Sequence, residues 1–513
     1  MEINKEFTRQ RYVALEGQSA SEYTLPDYQG DVKKILFSSA EAEDSGRYQS
    51  GDTLECVGTV VYKIVYMDSE GRITPVTFTG DYEMTARCEG ERYIDSYNRT
   101  RVANFNLRLM GPRRFSVKSG LASDLLICES CEYTVAGSEG LELESSLVSV
   151  EQSTAQYLRS AERELAEEII NFEGAIADEV EVVLHSADVV GVSLTKSDDG
   201  AVVRCQIMVR ALIACEGAVP QLEECSIDFQ ESIEGVNWGD GVSFIPSVAV
   251  ISESIGVNPH EGGVSVTANI IAEATAVIIE NSSVKLLGDC FSTEREVISE
   301  RGEFAYTEHL GTRLVSERLA FSVGRDSIGA ENVRNVLYES ATVKIEEQAA
   351  AEGSVKIKGS VHVSAIACEV SEEGAPSYAP LRFEHPFEIN VNIGCQIPEK
   401  VRILSHLSSD CANIDLDGDS VNFSCNLCGA VSAYAERREP CITSVALGED
   451  TYFRESSLVS VYYPDANESL FEVAKRFHVA PIKLARDNEL TEAVFAAVGS
   501  SLSTVGIRCL IVK

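Results

Sequence analysis

Two Cys-x-x-Cys pairs, Cys128 with Cys131 and Cys425 with Cys428, are the residues in this 513-residue chain whose type and spacing first suggest chemistry. A zinc site needs four converging ligands, and both pairs lie in strand-like segments where residues i and i+3 point to opposite faces. The two pairs also occupy different positions when the chain is aligned on itself. The spacing therefore predicts structural thiols and no metal. Fifteen cysteines, an odd number placed mostly in runs such as CVGTVVY and VRCQIMV, fit reduced, buried thiols better than a disulfide framework.

The acidic run NIDLDGDSV, residues 413–421, has the composition of a calcium loop but not its spacing. Counted from Asp415, Gly418 is fourth rather than sixth, and Asn426 stands twelfth, where a bidentate Glu is required. It reads as an acidic hairpin turn. The histidines (His185, His260, His309, His362, His385, His406 and His478) are scattered, with no HxxxH pair. No GxSxG, GxxxxGK[ST] or strand-turn-helix GxGxxG occurs, and 81 acidic residues make chance carboxylate pairs inevitable. The residues thus predict no enzyme, no cofactor and no metal. GDTL at 51–54 only opens the strand TLECVGTVV.

Of the ionisable side chains 43 are basic and 81 acidic, a net charge of −38. Such a chain repels phosphate backbones and anionic lipid, which argues against nucleic-acid partners and membrane surfaces. The best apolar run, VTANIIAEATAVII at 266–279, is broken by Glu273 and short of the ~18 residues a membrane helix needs. The N-terminal MEINKEFTRQRYVALEG has no apolar core of a secretion signal, so a cytoplasmic location without membrane insertion is expected.

The elements that would carry any site come in threes. DVKKILFSSA, EVEVVLHSAD and NVRNVLYESA share one pattern, anchored on Val32, Val180 and Val333. Glycines follow at similar offsets (Gly51, Gly200, Gly353, then Gly71, Gly217, Gly374), separated by long alternating segments and followed by short strands around Phe78, Ile227 and Phe383. Later segments from Val266 and Phe423 also match, with a divergent counterpart near 114. A mainly β fold is expected: three tandem antiparallel β-sandwich-like repeats and a small βααβ unit. The expected division is an N-terminal segment 1–24, repeats at 25–150, 175–304 and 329–450, a helical connector at 151–174, a second connector at 305–328, and a terminal domain at 455–513.

That terminal piece differs from the rest. It carries 6 basic and 7 acidic side chains, a net of −1, leaving −37 on the preceding residues. LVSVYY alternates as a strand. Ser469 with Glu472 forms a capping box, and Leu470, Val473, Ala474 and Phe477 mark one buried helical stripe. Pro481 suits the first turn of a second helix ending near Asn488, and GIRCLIVK closes as a strand. Phe471 lies beside the stripe, which leaves it as a candidate surface anchor.

This strand-helix-helix-strand order resembles the LysM domain. Ser469 and Leu470 stand at the Thr-Leu of its turn, and Asn488 with Leu490 at its Asn-x-aliphatic signature; Asn467 and Glu468 replace the usual Gly-Asp, and 491–504 is longer than the family norm. LPDYQGDVKKIL at 25–36 resembles the opening of the SPOCS domain. Tandem SPOCS-like units ending in a LysM domain resemble the SipL-like spore-envelope morphogenetic proteins of clostridia. The resemblance implies a mother-cell scaffold at the forespore surface, with the LysM-like surface (Val459, Ser469, Leu470, Phe471, Asn488 and Leu490) binding the spore coat morphogenetic ATPase. The alternative it implies is binding to peptidoglycan, the N-acetylglucosamine polymer of cell wall or cortex.

Overall fold

Alternation of apolar and polar residues carries most of this chain into antiparallel strands, and the chain is mainly β. The computed structural model describes residues 6–490 and 501–513, apart from 199, 216–217, 237, 240–241, 352, 371–375, 399, 453–458 and 504–505. Gly217 and Gly374 fall outside the described residues.

The first strands are β1 (Glu6–Thr24), β2 (Val32–Ser50), β3 (Thr53–Asp68), β4 (Ile73–Arg87), β5 (Arg92–Gly111) and β6 (Arg114–Glu132). They make two sheets, ordered β2-β3-β4 and β1-β6-β5. In β3, Leu54, Cys56, Val60, Tyr62, Ile64 and Tyr66 all face inward, as a period of two requires. They meet Phe115, Val117, Leu121 and Leu125 of β6, so the two sheets pack face to face. Gly58 interrupts this row because a Cβ there would lie 2.4 Å from the Tyr82 hydroxyl, which covers the gap.

The next strands are β7 (Glu144–Arg159), β8 (Arg163–Glu173), β9 (Val180–Ser197), β10 (Gly200–Cys215), β11 (Gln221–Glu234), β12 (Ser243–His260) and β13 (Gly263–Phe291). One sheet is β11-β10-β9; in the other, β13 pairs with β12 and, in succession, with β8 and β7. Last come β14 (Arg295–Gly324), β15 (Val333–Ala351), β16 (Ser354–Val370), β17 (Pro376–Asn392), β18 (Val401–Asp417) and β19 (Ser420–Thr451). These pair as β15-β16-β17 and β14-β19-β18. The expected turn at 418–419 joins β18 to β19, with Gly418 at φ 53° and Asp417 opposite Ser420.

Three expected boundaries are corrected. Residues 153–174 are not a helix but the end of β7 and all of β8, both hydrogen-bonded to β13. Leu165 and Ile169 reach the core as a helix stripe would, but residues four apart also share one face of a strand, so their spacing does not separate the two. Pairing with residues about a hundred positions away overrides local helix propensity. Residues 305–324 are likewise strand, paired along their length with β19, before a short 3-10 turn at Asp326–Ile328. Residues 6–24, expected as an N-terminal segment outside the first repeat, form β1 and pair along their length with β6 of that repeat.

The three sheet pairs meet in apolar junctions, two of which are large. At one, Leu36, Phe37 and Val65 of the first pair join Val183, Leu184 and Leu212 of the second and Leu337, Tyr338 and Ile366 of the third. At the other, the far ends of β13, β14 and β19 extend past their sheets and close over Tyr133, Val135 and Val150. Residues 436–451 of β19, about 50 Å of strand at ~3.3 Å per residue, make an arm paired with β14 and bridged on its other side by Ala136 opposite Ser444. No helix among the described residues is long and apolar enough to cross a membrane.

Candidate functional site

Beyond the arms the chain forms β20 (Ser460–Tyr462), α1 (Leu470–Arg476), α2 (Pro481–Asp487) and β21 (Leu510–Val512), with β20 antiparallel to β21. Helix α1 begins as its sequence dictates. The Ser469 hydroxyl accepts from the Glu472 backbone N–H at 3.2 Å, and the Glu472 carboxylate accepts from the Ser469 N–H at 2.7 Å. Ser469→Ala is expected to destabilise this piece by about 1 kcal/mol, read as an earlier loss of helical signal in thermal unfolding of the full chain.

Both helices end in a residue with left-handed backbone, His478 at φ 51° and Glu489 at φ 55°. In each case the next N–H reaches back to the helix, Val479 to the Ala474 carbonyl at 3.0 Å and Leu490 to the Ala485 carbonyl at 3.1 Å. Asn488 then ties the last strand down. Its side-chain amide donates to the carbonyls of Leu484 at 2.8 Å and Ile511 at 2.7 Å, and its oxygen accepts from the Ile511 N–H at 2.5 Å. Asn488 is therefore a clamp between helix and strand.

The six expected surface residues separate. Val459 is 61% exposed, whereas Leu470 and Phe471 are 1% and 2% exposed. Phe471 as a surface anchor is corrected: its ring meets Phe291, at the end of β13, edge-on at 5.3 Å. The helical period correctly puts Phe471 off the stripe shared by Leu470 and Val473. The second face it occupies is covered by another part of the chain, which local periodicity cannot reveal. Nearby, the Lys475 ammonium binds the Asp289 carboxylate at 2.6 Å, and His478 stacks on Tyr452 at 3.5 Å. Ser469 is buried with its cap, and Leu490 is half-buried against the small core formed by Leu470, Val473, Leu484, Leu502 and Leu510.

What remains open is the outward face of the two-stranded sheet. Val461 sits directly opposite Ile511 and both are exposed, at 58% and 38%. Val459 and Tyr463, two residues either side of Val461, are exposed as well, as is Ile482 on α2. Neighbouring aliphatic and aromatic side chains left in water on a short sheet are a surface suited to another protein. Val461, Tyr463 and Ile511 were not singled out from the sequence, yet a signal was present. LIV at 510–512 places three aliphatics in succession on a strand, and at a period of two the middle one must leave the core.

The Cys-x-x-Cys residues lie within β6 and β19, with Cys128 and Cys425 buried. The Cys128 thiol donates to the Ala155 carbonyl at 3.0 Å, and burial pushes its pKa up to about 12. A thiol held protonated in this way is a poor nucleophile.

No protein-family profile matches this chain, and no curated protein matches it. Among solved structures, a lipopolysaccharide binding protein is 8% identical over 52% of this chain and 91% of that chain, at a TM-score of 0.08. A likeness that low carries no argument about fold or function.

Proposed function

We propose that the chain is a non-enzymatic scaffold of bacterial endospore envelope assembly, built of three SPOCS-like copies and a LysM-like terminal module that binds a spore coat morphogenetic ATPase at the forespore surface in the mother cell. Three sheet pairs of the same pairing order support the reading of three copies. Each has a three-stranded meander, and a second sheet whose last long strand lies between the preceding hairpin partner and a strand from the start of the unit. Leu36, Leu184 and Leu337, four residues past Val32, Val180 and Val333, gather in one junction. Copies that bury equivalent residues against each other make a rigid body rather than beads on a string.

The observation that carries the binding role is the outward stripe of Val459, Val461 and Tyr463 beside Ile511. It belongs to the one segment free of the acidic surplus, so a partner approaching it meets little repulsion. The test uses the full chain with purified morphogenetic ATPase in one arm and purified peptidoglycan in the other. Val461→Asp places a charge on an exposed position and leaves the core intact. It is expected to weaken ATPase binding by roughly 30-fold, the scale of an interface hot spot. Wild-type binding to peptidoglycan, lost in the same variant, would overturn the reading in favour of a glycan site.

A further inference from the structure

The outer faces of the sheets containing β6, β13 and β19 turn toward one another and enclose a cavity of about 240 Å³. Leu126 comes from the first sheet pair, Ile245 and Val277 from the second, and Leu404 and Tyr434 from the third. A single water needs only ~10–15 Å³ of such space, so the volume suits a larger guest. Most of the wall surface is apolar, although Ser247, Thr275, Ser316, Ser408 and Ser432 add hydroxyls to it, and unfilled apolar space costs stability in proportion to its volume. A guest that fills it would offset that cost.

The cavity has a polar side. Arg99 lines it and is exposed to solvent. The neighbouring Asp124 carboxylate, also at the cavity, is taken by Arg101 at 2.6 Å. Arg99 itself makes no ion pair among the described residues. Arg99 stands directly opposite Asp124 in the β5–β6 pairing, but because Arg101 holds that carboxylate the Arg99 guanidinium keeps donors for a further anion. Apolar wall surface beside a guanidinium with free donors matches a molecule with an apolar tail and an anionic head.

We propose that the space between the three sheet pairs binds a single-chain amphiphile with an anionic headgroup, its tail against Val277, Leu404 and Tyr434 and its head at Arg99. No residue of the terminal module takes part, so this site is independent of the partner-binding reading. The probe is decanoate, with decanol as the uncharged control, titrated into the full chain and followed by calorimetry and native mass spectrometry. One decanoate per chain is expected. Leu314→Trp introduces bulk at a cavity-lining position that is 48% exposed, where the larger ring does not disturb buried packing, and is expected to weaken binding at least tenfold. Arg99→Gln is expected to weaken decanoate roughly tenfold and decanol little, the scale of one lost charge-assisted hydrogen bond. Absence of saturable binding, or binding indifferent to Leu314→Trp, would overturn the site. Equal losses for decanoate and decanol in Arg99→Gln would overturn the headgroup assignment.

Discussion

Arg210→Met is expected to destabilise the folded chain by about 3 kcal/mol, read as a lower midpoint in urea unfolding. Arg210 is only 5% exposed and lies at the junction of the second and third sheet pairs. Its guanidinium bonds the Asp188 carboxylate at 3.2 Å, donates to the Glu339 backbone carbonyl at 3.1 Å, approaches the Glu339 carboxylate at 3.8 Å and lies 5.4 Å from the Tyr338 ring centre. Methionine keeps much of the volume but strands the Asp188 carboxylate in a poorly solvated place and leaves the Glu339 backbone carbonyl without its donor. Removing one partner of a buried ion cluster costs more than the cluster contributes, because the remaining charge has lost its compensation. Asp188 is about one third exposed, which keeps the expected loss at the low end of the usual range.

The same junction gives a pH dependence with a definite sign. Burial raises the Glu339 carboxyl to about 7, against the lowering effect of Arg210, from an ordinary value of 4.5. Between these values the folded chain holds a proton that the unfolded chain has released. The contribution to stability is therefore complete below about pH 4.5 and is lost as pH rises through about 7. Burial also raises Glu41 and Asp188, which act in the same direction. Glu339→Gln should flatten the fall in unfolding midpoint between pH 5 and pH 8, and a wild-type curve already flat over that interval would refute this assignment.

Tyr133→Phe is expected to cost about 2–4 kcal/mol although it removes a single oxygen. That hydroxyl donates to the Ile442 carbonyl at 2.7 Å and accepts from the Leu287 N–H at 3.1 Å. It thus ties the chain just past β6 to both β13 and β19, where the arms of all three sheet pairs converge. Phenylalanine retains the ring and its edge contact with Phe304 at 6.3 Å, so the loss isolates two buried backbone groups left unpaired. Hydrogen exchange at Leu287 should accelerate with the loss of global stability. Unchanged exchange and unchanged stability would show that the arms hold together without this bridge.

Features set by neighbours in sequence were readable in advance, and those set by distant partners were not. The capping box of Ser469 and Glu472, the inward stripe of Leu470, Val473 and Ala474, and the turn at Gly418 depend on a few adjacent residues. The strand state of 163–173 depends on hydrogen bonds to residues 263–272, and its Glu-rich sequence favours helix in isolation. The burial of Phe471 depends in the same way on Phe291, some 180 positions earlier. The cavity at Arg99 and Tyr434 was invisible because its walls are outward faces of strands, whose apolar residues look like ordinary surface until three sheet pairs are brought together. For the terminal module, the sequence led to the buried face of a helix, while the open apolar face lies on its two-stranded sheet.

The claim that this sheet face grips a protein partner is tested most directly by footprinting. The full chain would be labelled by photogenerated carbene, alone and with the purified morphogenetic ATPase, and the modified residues mapped by mass spectrometry. Protection of Val459, Val461, Tyr463 and Ile511, with no change at the already buried Phe471, is the predicted result. Labelling of those four residues that stays the same while the ATPase is demonstrably bound would contradict it.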